Sequence, residues 1–195
     1  METLARIFGS ETKVKMMKLF LFNIERVYTT KDIADRTKSD ISKVRRELSV
    51  LDKMGLIRKR QIKGRQGYVL NQLFPYLKQL QGFLIDVEPL QPREMVRKIG
   101  KSGSVKLIVT AGIFIQDSES RADLLVVGDG VKKAKLDSVI KAVEAEVGKE
   151  LRYAFFSTEE FKYRMSMYDK LVRDILDYPH RILLDKLGIL DEGAV

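Results

Sequence analysis

The sequence has no cysteine, which excludes disulfides, thiolate metal sites and cysteine nucleophiles together. It has one histidine, so a metal site would have to be built from carboxylates alone. No run approaches the roughly 18 apolar residues of a membrane-spanning helix, and residues 1–6 lack the apolar stretch of a secretory signal. The expectation is a cytoplasmic protein with no membrane partner. What is present is ordinary for folded protein: 45% hydrophobic and 32% charged residues over 195 positions, room for one large domain or two small ones.

Charge is divided unevenly. Residues 1–86 carry 18 Lys and Arg against 9 Asp and Glu, while residues 87–195 carry 18 against 18, so the whole excess of +9 lies in the first part. That asymmetry points to a basic module that meets a polyanion, joined to a neutral module with another task.

Periodicity sets out the basic module. Val14, Met17 and Leu21 mark a helix over Glu11–Asn23, with Ser10 as its N-cap. Thr29, followed three residues later by Asp32, has the spacing of a capping box and opens a short helix. A second helix starts at Ser39-Asp40, carries Ile41, Val44, Leu48 and Leu51 as one inward stripe, and stops near Gly55. The pattern then changes to a hairpin: strands Leu56–Lys63 and Tyr68–Asn71 are joined by Gly64-Arg65-Gln66-Gly67. A further helix is expected over Asn71–Asp86, with Leu73, Leu77, Leu80 and Leu84 in line and Pro75 in its first turn. Val87–Pro92, with two prolines in six residues, reads as a linker.

In this order, residues 11–71 resemble the winged helix-turn-helix domains of ArsR- and MarR-like bacterial and archaeal regulators. The resemblance is carried by Thr30-Lys31-Asp32-Ile33-Ala34 and by Val44-Arg45-Arg46-Glu47-Leu48-Ser49-Val50-Leu51-Asp52-Lys53-Met54-Gly55-Leu56-Ile57, and it covers about a third of the chain. It implies double-stranded DNA as partner, a recognition helix at about 40–54 in the major groove, and a basic wing at about 57–71. It also implies that the helix after the wing is a candidate dimer contact; packing on its own domain is the alternative.

With the apolar stripe inward, the opposite face of the second helix presents Ser39, Ser42, Lys43 and Arg46, with Arg45 on the flank. Arginine can bond guanine through two N–H groups, serine can approach any base, and lysine neutralises phosphate. The hairpin adds Arg58, Lys59, Arg60, Lys63 and Arg65. Together with Thr30 these are the candidate DNA-binding residues. Between Thr37 and Tyr68 ten basic residues face only Asp40, Glu47 and Asp52.

Residues 93–195 read as an α/β domain with a short mixed sheet. A short helix spans Arg93–Gly100 and an apolar run Val105–Ile115, with a polar turn over Gln116–Ser120. A strand follows over Ala122–Val127, an amphipathic helix over Lys133–Lys149 and a strand over Tyr153–Phe156, and Glu159–Leu187 is mainly helical. The stretches Val105–Gly112, Arg121–Val127 and Phe155–Phe161 resemble the minimal nucleotidyltransferase fold. That family places Gly-Ser after its first strand, Asp-x-Asp on the second and a further carboxylate on the third, because magnesium needs converging hard oxygens.

Here Gly112 is followed by Ile113, Arg121 stands at the first aspartate position with only Asp123 left, and the third carboxylate falls near Arg152. The expectation is a nucleotidyltransferase-like pseudoenzyme without catalytic residues, metal or cofactor. Its role is to sense a small effector, with Arg121, Asp123 and Arg152 as the candidate ligand residues, to hold a partner protein, or to form a homodimer. His180, Ser118, Ser120 and Gly128-Asp129-Gly130 form no catalytic set. The reading is therefore an α/β (α+β) regulator of transcription with a winged helix over 1–86 and the second domain over 93–195. Two rivals remain: an active nucleotidyltransferase that docks through the winged helix, and a winged-helix scaffold for protein interaction.

Overall fold

The computed structural model describes residues 2–62, 64–85, 91–117 and 119–189. They form a mixed α+β structure with two small sheets, divided into two compact units: Met1–Leu90 with Lys141–Glu150, and Gln91–Ile140 with Leu151–Val195. Most of the expected linker, residues 87–90, lies outside the described residues. No described helix is long and apolar enough to cross a membrane.

The first unit contains α1 (Glu2–Phe8), α2 (Glu11–Phe22), α3 (Thr30–Thr37), α4 (Ile41–Lys53), β1 (Ile57–Ile62), β2 (Arg65–Leu70) and α5 (Leu77–Ile85). The helix α2 is its centre. The Ser10 hydroxyl accepts from the Lys13 N–H to start it, and Met16, Met17, Leu19, Phe20 and Leu21 are all buried. Against them pack Ile33 of α3, Val44, Leu48 and Leu51 of α4, and Leu56, Ile57 and Leu70 beside the hairpin. Each such aliphatic side chain contributes about 1.5–3 kcal/mol by leaving water. Lys18 of the same helix is also buried, and loss of hydration lowers its pKa from the usual lysine value, opposed by the attraction of Glu146.

Three expectations are corrected here. The apolar stripe of α4 begins at Val44, not Ile41, whose side chain is 43% exposed. The helix after the hairpin starts at Leu77, six residues later than the leucine spacing suggests. Asn71 ends the hairpin by accepting from the Leu73 N–H and donating to the Gly55 carbonyl; the chain turns there, leaving Leu73 85% exposed and Pro75 ahead of the helix. Leu77, Leu80 and Leu84 do pack on their own unit's core. The segment Glu2–Phe8, for which the sequence reading gave no element, is helical and packs Leu4 and Phe8 on that core.

The second unit contains α6 (Pro92–Gly100), β3 (Ser104–Thr110), β4 (Leu124–Asp129), α7 (Lys133–Val147, whose last turns group with the first unit), β5 (Tyr153–Phe156), α8 (Thr158–Ser166), α9 (Lys170–Leu176) and β6 (Arg181–Asp185). Its sheet has the order β5-β4-β3-β6; β4 and β5 run parallel and the other pairs antiparallel. Leu124–Val127 is buried on both faces, as a central strand flanked by helices requires. Two further corrections belong to this unit. The apolar run from Val105 leaves the strand at Thr110 and turns through a single 3-10 turn at Gly112–Phe114. The stretch expected to be helical to Leu187 ends in a strand, Arg181–Asp185, because β3 has a free edge that this segment pairs with.

Candidate nucleic-acid interface

Two helices and a hairpin carry the basic residues. The first helix of the pair, α3, is fixed by the anticipated capping box: the Asp32 N–H donates to the Thr29 hydroxyl at 3.2 Å, and the Thr29 N–H donates back to the Asp32 carboxylate at 2.9 Å. The Thr29 hydroxyl also donates to that carboxylate, which chiefly holds Asp32 below its usual pKa. Thr30, half-buried, is the first residue of this helix. The chain leaves it through Lys38 in the left-handed conformation, φ 52°, with the Ser39 N–H returning to the Ala34 carbonyl. That turn aims α4 across α3, and the Lys13–Glu47 ion pair at 3.5 Å ties α4 to α2.

Thirteen residues give α4 a length of about 20 Å. Its buried side is Val44, Glu47, Leu48 and Leu51. The opposite side places Ser42, Arg46, Ser49 and Lys53 in a row by their 3.6-residue spacing, with Ile41 and Arg45 on one flank and Lys43 and Val50 on the other. All of these are exposed. Ser39 sits half-buried just before the helix. Ser49 and Lys53 were missed in the sequence reading, although their positions three and seven residues beyond Arg46 are the signal that marks them.

The hairpin is tighter than the sequence suggested. The register runs on to Ile62↔Arg65, so Arg65, Gln66 and Gly67 belong to β2 and not to a loop. Gly64 turns with φ +75°; Lys63, a candidate phosphate contact, lies outside the described residues. Tyr28 bridges Tyr68 through a pair of backbone hydrogen bonds of 2.9 and 2.8 Å, adding a short third edge to the hairpin. Gly67 is required there, since a Cβ would lie 2.8 Å from the Val27 side chain.

The ion pairs sort the cations into two groups. Lys43 meets Asp40 at 3.5 Å and Lys59 meets Asp52 at 3.3 Å. Arg26 and Arg36 lie over the Tyr28 ring and share Glu150, which is held below the usual carboxylate pKa first by the Arg36 hydrogen bond. Arg45, Arg46, Arg58, Arg60 and Arg65 are exposed, and among the described residues none of their side chains has an acidic or hydrogen-bonding partner. In the second unit Arg121, Arg152, Arg164 and Arg173 each hold a carboxylate, while Arg93 and Arg97 of α6 are exposed.

Each of the three candidate ligand residues of the second unit is already occupied, Asp123 and Arg152 with one another and Arg121 with Asp174. Asp123 is buried and accepts from the Ile113 N–H at 3.1 Å, the Arg152 N–H at 2.9 Å and the Arg152 guanidinium at 3.2 Å. Gly112 makes room for this: a Cβ at that position would sit 2.2 Å from the carboxylate. Arg121 points to Asp174 at 3.2 Å. Neither arginine is left as a free cation. No group of three potential metal-ligating side chains occurs among the described residues. At the far end of the same strand Asp129 accepts from Lys106, from the Thr158 hydroxyl and from the Thr158 N–H, which together bring its pKa down to about 2.

No family model matches the chain, and no curated protein or solved structure does.

Proposed function

We propose that the first unit is a winged-helix module that binds double-stranded DNA in a sequence-specific way, and that the protein is a cytoplasmic regulator of transcription. The observation that carries this is the set of five exposed arginines, Arg45, Arg46, Arg58, Arg60 and Arg65, whose side chains have no counter-ion among the described residues, on one helix and the adjoining hairpin. A protein surface normally pairs or disperses such charge; clustered and uncompensated, it suits a polyanion that brings the missing negative charge. The hydroxyls of Ser42 and Ser49 alternate with Arg46 along a helix that is narrow enough for the major groove. In this reading α4 is the recognition helix, and the β1–β2 hairpin is the wing that fixes position on phosphates.

The second unit is proposed to be non-catalytic. Its helix–strand–strand–helix–strand order supports the likeness to nucleotidyltransferases, but the single carboxylate at the expected metal position, Asp123, already accepts from Arg152 and the backbone. Incubation with magnesium and labelled nucleoside triphosphates is expected to give no transfer.

The test of the DNA reading is selection from random-sequence duplexes at physiological salt, run beside Arg46→Ala/Ser42→Ala. A motif enriched by the wild type and lost in the variant supports the proposal. Recovery of random sequences by both reduces the protein to a non-specific binder, and no recovery refutes DNA binding. Symmetry in the selected motif, with half-sites one turn (about 34 Å) apart, would report two copies bound together.

A further inference from the structure

Resting on the DNA-binding reading, we propose that Ile41 is a specificity-determining residue that reads the C5-methyl group of a thymine in the major groove. Ile41 is the first residue of α4, and the N-terminal turn is the part of a recognition helix that contacts base edges. It is β-branched and apolar yet 43% exposed, and it takes no part in the core cluster formed by Val44, Leu48 and Leu51. The stripe from Val44 onward already fills the inward face, and Ile41 stands outside it.

Its neighbours define what it can touch. Arg45, one turn on, stands on the same flank with no partner of its own, and Ser42 is adjacent on the outer face. The chain has therefore set one bulky methyl-bearing group beside a bidentate donor. Among the four base pairs, thymine alone offers an apolar group on the major-groove floor, and aliphatic side chains are the groups that meet it. The residue's stiff χ1 holds its methyls in one direction, which suits recognition of a single fixed methyl group. The site it implies is a thymine next to the base pairs read by Arg45 and Arg46.

The experiment replaces thymine by uracil, which removes the methyl and nothing else, one position at a time in the duplex selected by the full-length protein. Wild type is expected to lose about three- to fivefold in affinity at one thymine per recognition helix, the worth of roughly one buried methyl. Ile41→Ala is expected to bind the thymine and uracil duplexes equally, and Ile41→Val to keep part of the discrimination. Circular dichroism checks that the variants keep the fold. If a specific motif is selected but uracil is tolerated everywhere, the thymine assignment falls while the DNA reading stands. A uracil penalty that survives in Ile41→Ala also overturns it, because another group then does the reading. Failure to select any motif overturns both.

Discussion

Under the proposed DNA-binding function, neutralising two arginines of β1 should change the salt dependence of binding by a calculable amount. Arg58 and Arg60 lie two residues apart on β1, exposed and without counter-ions among the described residues, so each is available to displace a cation from a phosphate. Each such contact adds about 0.9 to the slope of log affinity against log salt on duplex DNA. Arg58→Gln/Arg60→Gln should make the slope shallower by about 1.8, so that the affinity lost between about 50 and 200 mM salt shrinks by about twelvefold relative to wild type. Fluorescence anisotropy with a labelled duplex, titrated at several salt concentrations, measures this directly. Lys59→Gln is the internal comparison: its ammonium is already beside Asp52 at 3.3 Å, so its removal should alter the slope less than either arginine. Arg173→Gln, in the second unit beside Asp177, should leave it unchanged. An unchanged slope in the double variant would refute the assignment of the wing to phosphate.

Other consequences concern stability and pairing. Thr29→Val removes the hydroxyl from the capping box of α3 and should cost about 1 kcal/mol in urea unfolding. Because burial lowers the Lys18 pKa, wild-type stability should rise as pH climbs towards the free lysine value, and this rise should vanish in Lys18→Met. Asp129, with a folded pKa of about 2 against 3.8 for the free group, supplies stability that is present above about pH 4 and lost as pH falls towards 2. The acid limb of a urea-midpoint profile should therefore flatten in Asp129→Asn.

The parts that were legible in the sequence are those where local chemistry and tertiary packing agree. Thr29 and Asp32 cap α3 whatever lies around them, and Ser10 does the same for α2. The boundaries of α4 follow from its apolar stripe and from Gly55, which adopts φ +80° just beyond it. What escaped the sequence depends on distant partners. Leu73 continues the leucine spacing of α5, but Asn71 binds the Gly55 carbonyl sixteen residues away and bends the chain out of that phase. Ile182-Leu183-Leu184 has no period that separates strand from helix, and only the edge of β3 decides. Gly67 resembles a turn residue by composition, yet it is a strand residue kept small by Val27. For the candidate site, the arginines were legible as basic residues, but their lack of counter-ions was not, because that depends on where Asp40, Asp52, Glu150 and Asp174 point.

The Tyr28–Tyr68 bridge ties the segment that enters α3 to the second strand of the hairpin by two hydrogen bonds, and the two strands of the hairpin stay paired out to Ile62↔Arg65. The helix pair α3–α4 and the hairpin are thus set as the jaws of a calliper with a fixed gap. In the DNA-binding reading, such a tool measures groove spacing as well as bases. A duplex with one base pair inserted between the positions under helix and wing would present the right letters at the wrong distance, and the protein would have to give up one jaw to keep the other.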